Sequence, residues 1–401
     1  MAGITAETSR NVPSGRLPAG VYLLAFSLFA MGSAEFLLAG VLPEVAADLD
    51  VTLSSAGFLI TAFALGVVIG GPPFAVLSLR WPRRTALVAT QALFAAGIAV
   101  GLVGDYQVLL LTRVVSGIAY AGFFAVASVT AISLVTPDRN ARASGVVVSG
   151  LSVAMVLGGP AGTLLSHFIQ WRGGFWAVVA LTVAGLIGCL LGLPATAPDT
   201  DRPSGPSVSR ELATMRKPLL WGIYAITILT TAAYMITFNY LSAMLAGITA
   251  VPEVWIPAIL ALFGVGAFVG LSIGGRVSDQ RPHLALLTGA SAVVILSVVL
   301  AIAIRQVWVV VPMVFLIGVA AFVLNPALYG RVFAIAADAP TLAGATTVSA
   351  FQLGISITPV LAAASLTQGA ALTSVCLIGA ALAAAAVPLI LLDQAHATDH
   401  R

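Results

Sequence analysis

Twelve apolar stretches of about 20 residues or more, joined by short polar turns, fill the chain from Val21 to Leu392. At 1.5 Å per residue, about 20 apolar residues cross the hydrocarbon of a bilayer as a helix. Inside that hydrocarbon a helix satisfies its own backbone groups. Only 8% of the residues are charged and 60% are hydrophobic, against about 25% charged in soluble domains. A soluble protein of this composition has too little polar surface to cover itself. The expectation is an all-α integral membrane protein with twelve transmembrane helices and no sizeable soluble domain.

The spans are expected near 21–43, 54–78, 85–104, 107–135, 143–167, a sixth closing near Pro194, then 218–246, 254–277, 284–304, 307–336, 341–367 and 371–392. Residues 195–217 are rich in Pro, Ser, Asp and Arg and read as a flexible linker. The domain expectation is a tail at 1–20, a six-helix bundle at 21–194, the linker at 195–217, a second bundle at 218–392 and a tail at 393–401. The halves echo each other. Pro82 and Pro282 lie 200 residues apart, as do Ser149 and Ser349; Pro160 answers Pro359 and Gly117 answers Gly318. Two such halves in parallel repeat predict two pseudo-symmetric bundles with a substrate site between them.

Basic residues set the orientation. Arg80, Arg83, Arg84, Arg139, Arg142, Arg216, Lys217, Arg276, Arg281 and Arg331 fall on one side of the alternating spans, and only Arg172 and Arg305 on the other. By the positive-inside rule both termini are cytoplasmic. The basic residues are scattered over helix ends, which argues against nucleic-acid binding. Cys189 and Cys376 lie in separate apolar spans, a pattern that forms neither a disulfide framework nor a metal site. The first apolar run is too long for a signal-peptide core, so it is read as a retained span.

Glu35 is expected to be the only acid deep within any span. An ionisable group at mid-membrane costs roughly 2.5–3.5 kcal/mol on insertion scales and points to function. It is the candidate proton site and faces substrate; the bland alternative is a hydrogen-bonded packing acid. Arg113 in span 4 lies at a matching depth and is its candidate partner, against a purely structural arginine bonded to carbonyls. Tyr120, Phe124, Tyr234, Phe238, Asn239, Asn325 and Gln352 are mid-span polar or aromatic groups that suit a mostly apolar ligand. Each taken singly also fits a helix–helix contact. Gly158, Gly159, Pro160 and Gly162 make span 5 easy to bend and to pack closely, a candidate hinge. Arg80, Arg83, Arg84, Asp279 and Arg281 are candidate gating residues as well as topology anchors. His167 and His283 sit at span ends and are read as interfacial.

These features together resemble the major facilitator superfamily, and within it the twelve-span drug:proton antiporters. LRWPRR, residues 79–84, is similar to the family's loop 2–3 signature but has Ala75, Leu79 and Pro82 at its first Gly, its Asp and its later Gly. The counterpart in the second half keeps Gly275 and Asp279, followed by Gln280, Arg281 and Pro282. Arg113 with Gly117 looks like the family's Arg-x-x-x-Gly element, which the resemblance ties to proton coupling. The Gly-Pro segment of span 5 looks like the exporters' motif. The first-span text AMGSAEFLLAGVLPEVAADL resembles actinobacterial chloramphenicol-resistance exporters, and sugar efflux permeases share much of it.

No Walker loop is present, since the one lysine lies in KPLL, and no Gly-x-Ser-x-Gly elbow or His-Glu-x-x-His helix occurs. The expectation is therefore no enzyme, no cofactor and no metal. The resemblance implies a monomeric multi-pass protein of the bacterial inner membrane that exchanges protons for a small hydrophobic drug, chloramphenicol or a similar phenicol. A sugar or metabolite exporter of the same superfamily is one rival. A membrane receptor that binds without transporting is another.

Overall fold

The computed structural model describes residues 17–77, 81–136, 139–194, 213–278, 280–337 and 340–399. Among these residues all regular structure is helical. Spans 1 to 4 are Ala19–Gly40, Leu53–Leu77, Arg83–Val103 and Tyr106–Ser133. Spans 7 to 12 are Pro218–Asn239, Ile256–Ser278, Pro282–Ala303, Val307–Ile335, Pro340–Leu366 and Ser374–Asp399. Short helices, Leu42–Asp48 and Leu241–Gly247, follow spans 1 and 7. Local chemistry sets several starts. Asp105 caps span 4 by accepting from the Val108 N–H at 2.9 Å. Pro218 and Pro282 open spans 7 and 9, where a missing N–H costs nothing.

Spans 5 and 6 need the closest reading. Span 5 begins as Asn140–Val153 and passes through a single π-helical turn, Ala154–Gly158. The helical stretch Gly159–Gly192 then holds two helices, because Ile169 and Gln170 leave helical values and Gln170 takes φ 63°. The chain reverses at that break, so eleven continuous apolar segments make twelve spans. The protein is a multi-pass membrane protein with two six-helix halves. An even number of spans puts the starts of spans 1 and 7 and the end of span 12 on one face, the near face. Leu42–Asp48 lies at the opposite, far face.

Backbone contacts repeat between the halves. A methyl group added at Gly66 would sit 2.2 Å from the Val114 carbonyl, and one at Gly266 would sit 2.2 Å from that of Phe315. One at Gly117 would meet the Phe63 carbonyl at 2.1 Å, and one at Gly318 that of Phe263 at 2.3 Å. Spans 2 and 4 therefore pack as spans 8 and 10 do, with small residues letting the backbones touch. The halves meet toward the far face. Thr61 donates to the Ser356 carbonyl and Ser242 to that of Ala39, each at 2.8 Å.

Two expectations need correction. Span 12 continues as helix to Asp399, past Leu392, so Asp393 sits in a helix and is 4% exposed. Glu35 is thus not the only acid buried in a span helix. Asp393 takes a bidentate pair from Arg331, at 2.9 and 2.6 Å, and lies 2.9 Å from His283 Nε2. His283, the second residue of span 9, sits at a span end as expected, and its contact with Asp393 also helps to tie spans 9, 10 and 12 together. Apolar content stopped at Leu392, and hydropathy has no sensitivity to an acid whose partners come from other helices.

Candidate functional site

Glu35 sits 16 residues into span 1, in a stretch flanked by Ser33, Ala34, Phe36 and Leu37 that are all buried. Its own side chain is half-buried. The Gln352 side chain of span 11, in the other half, lies near the carboxyl, and the Arg113 guanidinium acts on it electrostatically. Among the described residues no ion pair within 4.0 Å joins Glu35 and Arg113.

Arg113 is 4% exposed. Its Nε donates to the Leu59 carbonyl at 3.4 Å and its Nη1 to the Ala34 carbonyl at 3.5 Å, both long. Its guanidinium lies 4.6 Å over the Phe63 ring and 6.0 Å from that of Phe175. Cation–π contact partly replaces the water that a buried cation loses. Arg113 thus touches span 1 one residue before Glu35.

Aromatic groups close around this pair. Tyr120 and Tyr234 are both near enough to feel the Glu35 charge, and Tyr329 acts on both. Tyr120 packs on Phe63 at 5.6 Å, Tyr234 on Phe322 at 5.6 Å, and Phe238 on Phe263 at 4.5 Å. Phe238 also meets Phe36 edge-on at 6.4 Å, across the seam between halves. Phe124 is partly buried against the core. Asn325 Oδ1 and Gln352 Oε1 are buried with no partner, and such oxygens carry an unmet demand for a donor. Asn239 ends span 7 and spends its amide on Thr358 Oγ1 at 2.9 Å.

The glycine–proline segment packs on the same part of span 1. A methyl at Gly158 would strike Ser33, one at Gly159 Phe36, and one at Gly162 Leu37. Pro160 lies two residues after the π turn ends at Gly158, and such a turn is where a proline's missing N–H is absorbed. Among the near-face candidates, Arg84 donates to the Leu190 carbonyl of span 6. Arg83 is engaged, and Arg281 is exposed at the start of span 9. Arg80 and Asp279 lie outside the described residues.

Residue reading missed Tyr329 and Phe351, whose rings stack at 5.5 Å near the site. The signal was present: both are aromatic positions in spans 10 and 11, the spans that already supplied Asn325 and Gln352. The repeat adds contrast. Spans 1 and 7 both have 22 residues and start 199 apart, which puts Tyr234 at the position of Glu35. Gly117 and Gly318 make matching contacts 201 apart, which puts Val314 at the position of Arg113. The acid and the buried cation both belong to the first half.

The profile of the Major Facilitator Superfamily matches residues 24–359. A chloramphenicol resistance protein of Streptomyces lividans is 38% identical over 351 residues, 87% of this chain and 90% of that protein. A probable sugar efflux transporter of Helicobacter pylori is 27% identical over 84% of this chain and 85% of that protein. Among solved structures, that of a point mutant of the nucleoside transporter NupG superposes with a TM-score of 0.76 at 13% identity, covering 94% of this chain and 99% of that one. At that identity the likeness is one of fold.

Proposed function

Because the chain belongs to the Major Facilitator Superfamily, and so is a transporter and not an enzyme, we propose that it is a proton-driven exporter of chloramphenicol or a similar phenicol. The observation that carries this reading is Glu35, a half-buried acid that faces Arg113 of its own half and Gln352 of the other. A carboxyl at that seam can respond to which way the halves are tilted. A change in its burial or in its distance from Arg113 moves the proton on or off. Drug bound in the same groove biases the opposite tilt, and one gradient drives the other flux.

The lining supports an apolar ligand with few polar groups. Tyr120, Phe124, Tyr234 and Phe238 offer ring faces, with Asn325 and Gln352 as unpaired amide oxygens ready to accept from a hydroxyl or an amide N–H. Asn239, one residue after Phe238, is kept as a further polar contact for the ligand. Gly158, Gly159, Pro160 and Gly162 are the hinge, acting on the turn of span 1 that carries Glu35. Arg80, Arg83, Arg84, Asp279 and Arg281 latch the near face, which is cytoplasmic by its arginines, in a bacterial inner membrane. The protein acts as a monomer, with 195–217 as the tether between bundles.

The sugar-exporter reading is supported by the Helicobacter relative, but one unpaired acid among rings suits a sugar poorly. The test is expression in a drug-sensitive host. Chloramphenicol tolerance rises several-fold and falls back when a protonophore is added. Unchanged tolerance, with the protein verified in the membrane, rejects the drug assignment. Counterflow in vesicles separates a transporter from a receptor.

A further inference from the structure

Span 10 carries Phe322, Asn325, Tyr329 and Phe333 along one face, spaced three, four and four residues apart. Its other sides are taken. Methyl groups added at Gly266, Gly270 and Gly274 of span 8 would press on the Phe315, Val319 and Val323 carbonyls, and one at Gly289 of span 9 would meet Leu324. The stripe lies outside both backbone contacts. None of its four members is fully buried, and Phe333 is 44% exposed, whereas Leu324, Leu328 and Val332 beside them are buried. Tyr329 is near enough to Tyr120 of span 4 to act on it electrostatically. The stripe therefore looks across the groove at the first half.

Span 11 widens the stripe into a wall. The Tyr329 ring lies nearly parallel to that of Phe351, at 5.5 Å and 28°, and to that of Phe333, at 6.2 Å and 24°, within the spacing that aromatic pairs prefer. Tyr329 and Phe351 are only half-buried, so their rings keep surface free. Gln352, the next residue of span 11, is 7% exposed and its Oε1 has no partner. Phe333 lies eight residues from Asn325, roughly 12 Å along the helix toward the near face. The repeat shows that helix packing does not demand these rings. At the offset of 201 between Gly117 and Gly318, Tyr329 and Phe333 answer to Ser128 and Ile132; at the offset of 200 between Ser149 and Ser349, Phe351 answers to Leu151. The first half builds the same pair of spans with no aromatic at any of the three positions.

We propose that Tyr329, Phe333 and Phe351 form an entry subsite on the near side of the groove, which holds the flat ring of an uncharged aromatic ligand by stacking before the ligand moves in to Asn325, Gln352 and Glu35. It rests on the drug-exporter reading. The wall offers ring faces, and free amide oxygens begin only at its inner end, so the group it takes is planar and apolar. A sugar, with hydroxyls on every edge, finds no partner among the three rings. The halves then divide the work: the first carries Glu35 and Arg113, and the second receives the ligand.

The test uses the full chain in inside-out vesicles, acidified within, with labelled chloramphenicol supplied at the near face. Phe333→Leu, Tyr329→Leu and Phe351→Leu should each raise the KM for uptake several-fold, with a smaller fall in kcat. Tyr329→Phe and Phe351→Tyr keep the rings and should return KM to near the wild-type value. Phe333→Leu, at the most exposed of the three rings, should keep the wild-type melting point, so its KM is read on a folded protein. Leucine variants with wild-type KM, in vesicles where the wild type pumps, overturn the subsite and leave the exporter reading standing. A KM raised as much by Tyr329→Phe as by Tyr329→Leu overturns stacking as its basis. A wild type that takes up no chloramphenicol overturns the exporter reading, and the subsite with it.

Discussion

Glu35 and Asp393 are two acids in span helices with opposite surroundings. Asp393 is 4% exposed and matched by a bidentate arginine and a histidine, the arrangement a buried charge needs to persist. Glu35 has no ion-pair partner within 4.0 Å among the described residues. Sequence made Glu35 visible because an acid amid apolar residues has one local cause to seek. It hid Asp393 because the arginine and histidine that stabilise it come from spans 10 and 9. A third acid, Glu44, lies outside the spans and gives a stability test. Desolvation among the far-face loops, and next the Glu253 carboxylate, raise its pKa above the usual carboxylate range, although the residue is exposed to water and although a backbone hydrogen bond and His167 pull the other way. A raised folded-state pKa means the folded protein holds this proton more tightly than the unfolded chain. The charged form therefore costs stability above the folded pKa, and the cost disappears as pH falls below the unfolded value. Glu44→Gln should melt slightly higher than wild type at pH 8, with the gap closing by pH 4. A gap that widens in acid contradicts this.

Helix contacts are where the repeat becomes physical. The sequence offered Gly117 against Gly318 as an echo, and the structure turns it into the same backbone-to-carbonyl approach in both halves. Gly66 and Gly266 make the reciprocal contact, yet as letters they are two glycines among 39. The spacing places the reversal between spans 5 and 6 just past residue 167, and it falls at Gln170; what spacing could not reveal was the π turn at Ala154–Gly158. Overpacking at such a site costs about 1–3 kcal/mol. Gly117→Ala and Gly318→Ala should therefore lower thermal stability in detergent by comparable amounts, each pushing a pair of spans apart. Gly145→Ala, whose methyl would meet nothing within 4 Å, should leave it unchanged or raise it slightly by helix propensity. Equal melting points for Gly117→Ala and Gly145→Ala would mean the spans 2–4 contact is looser than the structure has it.

For the molecule as a whole, the asymmetry between halves decides how the cycle is energised. At the seam only the first half carries an acid and a buried cation, with Tyr234 and Val314 in their places in the second, whose own buried acid, Asp393, is matched by Arg331 and His283. One titrating site predicts one proton per turnover. If the drug is neutral, each cycle then moves one positive charge inward. A charge crossing 100 mV is worth about 2.3 kcal/mol, which sustains a drug gradient of about fifty-fold at 1.4 kcal/mol per decade. The membrane potential alone should therefore drive transport. With equal pH on both sides of proteoliposomes and a potassium diffusion potential set by valinomycin, drug should accumulate against its gradient in the wild type. Reversing the sign of the potential should reverse the direction. Glu35→Gln should still exchange drug for drug, because the groove remains, but should respond to neither potential nor pH. Wild-type transport indifferent to the potential would mean that the charge is balanced elsewhere, by a second ion or by a charged substrate. The one-acid reading of the first half would then have to be given up.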